Sequence, residues 1–131
     1  MGPASAMPVI DRYQSAHVLE VHGRLFLIDC GEAVQRQMIR YKVPLAKLDT
    51  IFISHIHGDH LFGLFTLLST LGLSCKVTPV VIYGPSNLCP LLKSFMSFYG
   101  KGIGITVDFH PLSVKTPEVI YSTKSLEVLA F

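Results

Sequence analysis

Ser54-His55-Ile56-His57-Gly58-Asp59-His60 places three histidines and an aspartate within six residues. Imidazole and carboxylate are metal donors. In an extended segment, residues i and i+2 point to the same side, so His55 and His57 can reach one ion. Gly58 lets the backbone turn tightly. Asp59 and His60 follow at the expected start of a helix, where the turn could aim them at a second ion. A carboxylate is also electrostatically favoured beside a helix N-terminus. This donor set suits zinc, with manganese or iron as alternatives. Two ions roughly 3.5–4 Å apart can activate a water and stabilise the attacking and leaving oxygens of a displacement. The bland alternative is a helix cap at Asp59 with ordinary loop histidines. It accounts poorly for the full H-x-H-x-D-H spacing directly after a buried strand. Asp29 ends another buried strand and is either a turn cap or a partner that orients a ligand histidine. The sequence leaves both open. His17, His22 and His110 read as structural or surface residues.

The surrounding pattern must place these groups. His17 to Val21 and Arg24 to Asp29 read as a hairpin turned at His22-Gly23. The near-continuous apolar run of the second strand predicts burial on both faces. A helix is expected from Glu32 to about Tyr41, with Val34, Met38 and Tyr41 on one face. Pro44 to Leu48 reads as one short helical turn. Thr50 to Ile53 is a short buried strand leading straight into the histidines, so the cluster lies at a strand's carboxyl end, where open α/β sheets bind ligands. A mostly buried helix should run from His60 to about Leu71 and stop at Gly72. Pro79 to Tyr83 is a further strand. A helix from about Asn87 to Tyr99, capped by Ser86 or Gly84, should stop at Gly100. Ile103 to Phe109, Val119 to Tyr121 and Leu126 to Phe131 are strand candidates. Strands and helices alternate early and strands dominate late, which predicts one α/β domain with a mixed sheet over residues 1–131.

Composition excludes several classes. Half of the 131 residues are apolar and the mean hydropathy is +0.47, which argues against disorder. A net charge of +2 is too small to imply a nucleic-acid partner by itself. The apolar run from Leu61 to Cys75 is interrupted by Gly63, Thr66, Ser69, Thr70, Gly72 and Ser74, and is too short to span a membrane. The N-terminus lacks the basic and apolar blocks of a signal peptide. Cys30, Cys75 and Cys89 are odd in number with apolar neighbours, as expected for reduced thiols in a cytoplasmic protein.

H-x-H-x-D-H is the signature of the metallo-β-lactamase superfamily. Phe26-Leu27-Ile28-Asp29-Cys30-Gly31-Glu32 resembles a segment of ribonuclease Z, the tRNA 3′-processing endonuclease family. Leu48 to His55, Gly58 to Leu64 and Ile82-Tyr83-Gly84-Pro85 continue the likeness, and Gly2 to Pro8 is similar to that family's first loop. The resemblance implies an αββα sandwich, here mainly its N-terminal half, holding two metal ions. It implies that His55 and His57 bind one ion, that Asp59 and His60 bind the other, and that Asp29 supports the site from behind. It further implies a water that attacks a precursor tRNA at the 3′ side of its discriminator base, Asp59 as acceptor of that water's proton, and a homodimer in the intact enzyme.

The family pattern also has a histidine, a bridging aspartate and a final histidine after the strand that corresponds to Leu126–Phe131. Those three ligands are not among the 131 residues. Nor are the second half of the sandwich and the arm that grips tRNA. A catalytic zinc usually takes three protein ligands plus water. Two ions sharing four side chains are therefore expected to bind weakly and support little activity. An apolar strand as the last element carries the further expectation of a truncated domain, whose uncovered half-sandwich would self-associate. Two other readings remain. One is a superfamily hydrolase acting on a small phosphodiester, sulfate ester or thioester. The other is a non-catalytic fragment.

Overall fold

A computed structural model describes residue 10, residues 13–74 and residues 79–131. The first-loop likeness at Gly2 to Pro8 and the thiol of Cys75 lie outside the described residues. The elements are β1 (His17–Val21), β2 (Arg24–Ile28), α1 (Val34–Arg40), a 3-10 turn (Leu45–Lys47), β3 (Leu48–Phe52), α2 (Gly58–Leu61), α3 (Gly63–Leu73), β4 (Val80–Pro85), α4 (Leu88–Ile103), β5 (Val107–Leu112), β6 (Glu118–Ser122) and β7 (Glu127–Ala130).

β1 to β5 form one sheet in sequence order, and β6 and β7 form a separate two-stranded sheet. β1 pairs antiparallel with β2, as the hairpin reading requires, while β2, β3, β4 and β5 pair in parallel. The sheet is thus mixed. Side chains alternate across a strand, and the two faces divide accordingly. Leu25, Leu27, Ile51, Ile53 and Ile82 join Val34, Met38, Leu64, Leu67, Leu71, Leu88 and Leu92 in one buried cluster, so the helices pack on that face. The opposite face carries an aromatic row. Phe26 and Phe52 stack at 6.4 Å, Phe52 and Tyr83 at 5.2 Å, and Tyr83 and His110 at 4.8 Å. Tyr121 of β6 meets Phe26, Phe52 and Tyr83 edge-on at 5.4, 5.8 and 6.1 Å. The small sheet is therefore seated on the face that the helices leave free. Helix layer, large sheet and small sheet are the layers expected of this part of a sandwich.

Element boundaries depart from the sequence reading where tertiary contacts outweigh local signals. The helix expected from His60 to Leu71 is two helices. The carbonyl of Asp59 accepts the N–H of Ser15, and the Gly63 N–H donates to the Cys30 carbonyl, so the helical bond between residues 59 and 63 is replaced by two bonds to neighbouring segments. Gly72 does not stop the helix. A Cβ there would lie 2.1 Å from the carbonyl oxygen of Ile103, so the glycine serves close packing of α3 on the end of α4. α4 runs through Gly100 and Gly102 and ends at Gly104, whose φ of 60° suits the left-handed C-terminal position. Its N-cap is Asn87, with no side-chain capping bond, rather than Ser86 or Gly84. α1 starts at Val34 rather than Glu32, because Ala33 takes φ 67° and the helical path begins only after it.

Candidate metal centre

The site is built from the ends of β2 and β3. At the end of β2 the chain turns through Asp29 (φ 59°), a conformation that Asp tolerates better than most residues. The Asp29 N–H donates to the Phe52 carbonyl at 2.7 Å, and the Cys30 N–H donates to the His60 carbonyl at 2.8 Å. Those two bonds fasten the turn after β2 to the loop after β3. Gly31 and Gly63 allow the turn to touch α3 directly: a Cβ on Gly63 would sit 2.0 Å from the Gly31 oxygen. The Gly31 N–H in turn bonds the Ser15 carbonyl at 2.9 Å. Three stretches of chain, around Ser15, Asp29 and Asp59, are thereby tied together by backbone bonds alone.

Past β3 the chain stays extended to His57 (φ −65°, ψ 145°) and then enters α2 at Gly58. The ligand atoms of His55, His57 and Asp59 all lie within 4.8 Å of one another, a grouping able to hold one metal ion. The imidazoles of His55 and His57 are 4.8 Å apart between centroids, and those of His55 and His60 are 3.9 Å apart. His60 Nε2 lies 3.3 Å from Asp59 Oδ2. All four histidine and aspartate side chains named from the sequence are therefore gathered at one place, with His55, His57 and Asp59 forming the tightest group.

Asp29 touches both the loop after β3 and the His60 imidazole. Its carboxylate is buried, with 5% of the residue exposed, and His60 Nδ1 is 2.6 Å from Oδ2. The Ser54 N–H donates to Oδ1 at 2.8 Å, and the Ser54 hydroxyl lies 2.8 and 2.9 Å from the two carboxylate oxygens. With Nδ1 held by the carboxylate, His60 presents Nε2 to the side where Asp59 stands. A carboxylate behind an imidazole fixes its tautomer and increases its basicity as a ligand. Ser54 also lies 3.0 Å from His55 Nδ1, which leaves His55 Nε2 as the outward nitrogen. Imidazole nitrogens with their rear atoms engaged, beside a carboxylate, fit a metal ion on the chemistry of the donors. Ser54 and Ser15, whose hydroxyl is 3.4 Å from Asp29 Oδ2, escaped the sequence reading. Their only signal there is a small hydroxyl residue next to a ligand or turn position.

The remaining groups lie apart. Cys30 is fully buried, and its thiol pKa is raised, first by burial and then by the neighbouring Asp29 charge. Cys30 and Cys89 are both free. His110 stacks on Tyr83 and pairs with Asp108 at 3.1 Å. His17 and His22 are exposed in and beside the hairpin. None of the described helices is long and apolar enough to cross a membrane.

A mixed sheet with helices on one face, a smaller sheet on the other and an H-x-H-x-D-H loop at the strand ends defines a metallo-β-lactamase-fold protein. Solved structures agree. The short form of human tRNase Z superposes with a TM-score of 0.83 at 29% identity, over 99% of this chain and 56% of that one. The metallo-β-lactamase-fold protein YhfI from Bacillus subtilis matches in fold with a TM-score of 0.70 at 21% identity, over 89% of this chain and 45% of that one. Within that class, the chain belongs to the family described as Anti-Pycsar protein Apyc1, whose model matches residues 1–96. It is also homologous to ribonuclease Z. The Bacteroides thetaiotaomicron ribonuclease Z is 38% identical over 128 residues, covering 98% of this chain. The chain spans 40% of the length of that relative.

Proposed function

We propose that this chain is the N-terminal, metal-binding part of a metal-dependent endoribonuclease that removes the 3′ trailer from precursor tRNA. The observation that carries the reading is the match to ribonuclease Z along nearly the whole chain, 38% identical over 128 residues. The site supports it. His55 and His57 would hold one ion, and Asp59 and His60 a second, with zinc favoured by the mixture of imidazole and carboxylate. Bound ions of this kind polarise a phosphoryl oxygen and supply a nucleophilic water at neutral pH. The chain's own residues do the rest. Asp59 accepts a proton from the attacking water, Asp29 holds His60 with Nε2 outward, and Ser54 holds His55.

Four side chains fall short of three protein ligands for each of two zinc ions. The 131-residue chain by itself should therefore bind metal weakly and cleave little. The reading carries a cytoplasmic setting, in keeping with free thiols at Cys30 and Cys89. It also carries a homodimer for the intact enzyme and self-association for this chain, both readable by light scattering. The deciding experiment incubates the parent-length protein with zinc and a 3′-extended precursor tRNA. Cleavage at the discriminator base, lost in His55→Ala and His57→Ala variants, is the expected result. A second reading, a hydrolase of small phosphodiesters, draws on the same grouping of His55, His57 and Asp59. Turnover of a small phosphodiester with none of tRNA would select it.

A further inference from the structure

A cavity of about 250 Å³ lies beside α1, lined by Tyr13, Ala33, Arg36, Gln37 and Arg40. Arg36 and Arg40 stand one turn apart on α1, separated by about 6 Å along the helix axis. Neither makes an ion pair with any described residue. Gln37 lies between them in sequence and is buried, with 5% of the residue exposed. Gln37 lines the same cavity, and its side-chain amide has no hydrogen-bond partner among the described residues. Two arginines with no ion pair among the described residues, a tyrosine and a buried glutamine line one concavity, a donor-rich setting for phosphate oxygens.

The position of the cavity bears on function. Its Tyr13 wall is two residues from Ser15, whose N–H bonds the Asp59 carbonyl at 3.2 Å. Its α1 wall follows directly from the Asp29-Cys30-Gly31 turn. The same strapping that fixes the metal loop thus fixes the cavity beside it. We infer that this cavity is a phosphate subsite that grips a non-scissile phosphate of a polynucleotide strand through Arg36 and Arg40. The inference rests on the endonuclease reading, but its test does not depend on cleavage.

The test measures binding of a single-stranded RNA 12-mer to the full chain by fluorescence anisotropy, with EDTA present, from 50 to 200 mM salt. Each phosphate contact on a single strand contributes about 0.7 to the log–log salt slope. An Arg36→Gln/Arg40→Gln variant should therefore lose about 1.4 from that slope. Its affinity deficit relative to the unsubstituted chain should shrink about sevenfold across that salt range. Lys93→Gln/Lys101→Gln on α4 removes the same charge outside the cavity and should leave the slope unchanged. Inorganic phosphate should compete with RNA and shift the amide resonances of α1. Equal losses in both double variants would mean diffuse electrostatics and overturn the inference. So would phosphate binding at α1 with RNA affinity indifferent to the arginines, or no RNA binding by the unsubstituted chain. Failure of the endonuclease reading shows separately, as intact precursor tRNA in the parent-length assay. Both arginines are exposed, and matching thermal transitions would confirm that the variants fold.

Discussion

Replacing Asp29 by Asn isolates what its carboxylate does for the metal loop. The change is nearly isosteric, and Asn tolerates the φ of 59° at this position. The new amide can sit only one way round. The Ser54 N–H donates to Oδ1 at 2.8 Å, so the amide oxygen must take that place and the NH2 group must take the place of Oδ2. That group then faces His60 Nδ1 across the 2.6 Å contact. Two donors cannot share the contact, so Nδ1 must become the acceptor and the ring proton must move to Nε2. The nitrogen that faces Asp59 Oδ2 at 3.3 Å then has no lone pair to offer a metal. Loss of such a rear partner typically lowers metal affinity about 10–100-fold, or about 1.4–2.7 kcal/mol. The metal-free fold should lose about 1–3 kcal/mol as well, because a charged, buried acceptor is replaced by a neutral one. Isothermal titration with zinc reads the affinity, urea unfolding reads the stability, and 15N shifts of His60 read the tautomer. Zinc affinity within twofold of the unsubstituted chain, with the His60 tautomer changed, would refute the reasoning that links Asp29 to the site through His60.

Gly63→Ala should destabilise the fold by at least about 1–3 kcal/mol in urea unfolding, because the added carbon would meet the Gly31 oxygen at 2.0 Å. The same change at exposed Gly102, which has open space around it, should be mild. Tyr121→Leu keeps apolar bulk but removes three edge-on ring contacts. At about 0.5–1.5 kcal/mol per pair, it should loosen β6 and β7 first, seen as faster amide exchange there than in β3. Thiol labelling at pH 8 should modify Cys89 in the folded chain and Cys30 only on unfolding. The raised Cys30 pKa means that the folded state keeps this proton where the unfolded chain releases it. Stability should therefore be intact below about pH 8.5 and fall as pH rises above it. The Cys30→Ala variant should lose that alkaline dependence.

Much of the site was legible because its chemistry is local. His55 and His57 share a face through strand periodicity, and Asp59 follows one turn-forming glycine later, so a seven-residue stretch already implies convergence. The buried strands were legible for a related reason. β2 and β3 are buried on both faces, and burial writes itself into sequence as an unbroken apolar run. The partners of Asp29 were not legible. Turn cap and orienting partner need the same residue at the same strand end, and the 31-residue leap to His60 Nδ1 is visible only in the fold. Ser54 and Ser15 were invisible for the same reason, since a hydroxyl acquires its role from what folds against it.

The helix ends show the same division. Gly72 and Gly100 look like stop signals, but a glycine is neutral between ending a helix and admitting a close neighbour. The approach of Ile103 to Gly72 decides the first, and the left-handed turn at Gly104 ends α4 four residues later than Gly100 would have done. The split between α2 and α3 is likewise a tertiary outcome, set by the Ser15 and Cys30 backbones competing for the bonds of residues 59 and 63. Sequence by itself determined the grouping of candidate metal donors, the layered α/β class and the buried strands, because each depends on residue type and short-range periodicity. Tertiary structure decided which nitrogen each histidine presents, where the helices break and which arginines share a cavity. Those depend on contacts between segments far apart in the chain, and no local pattern encodes them.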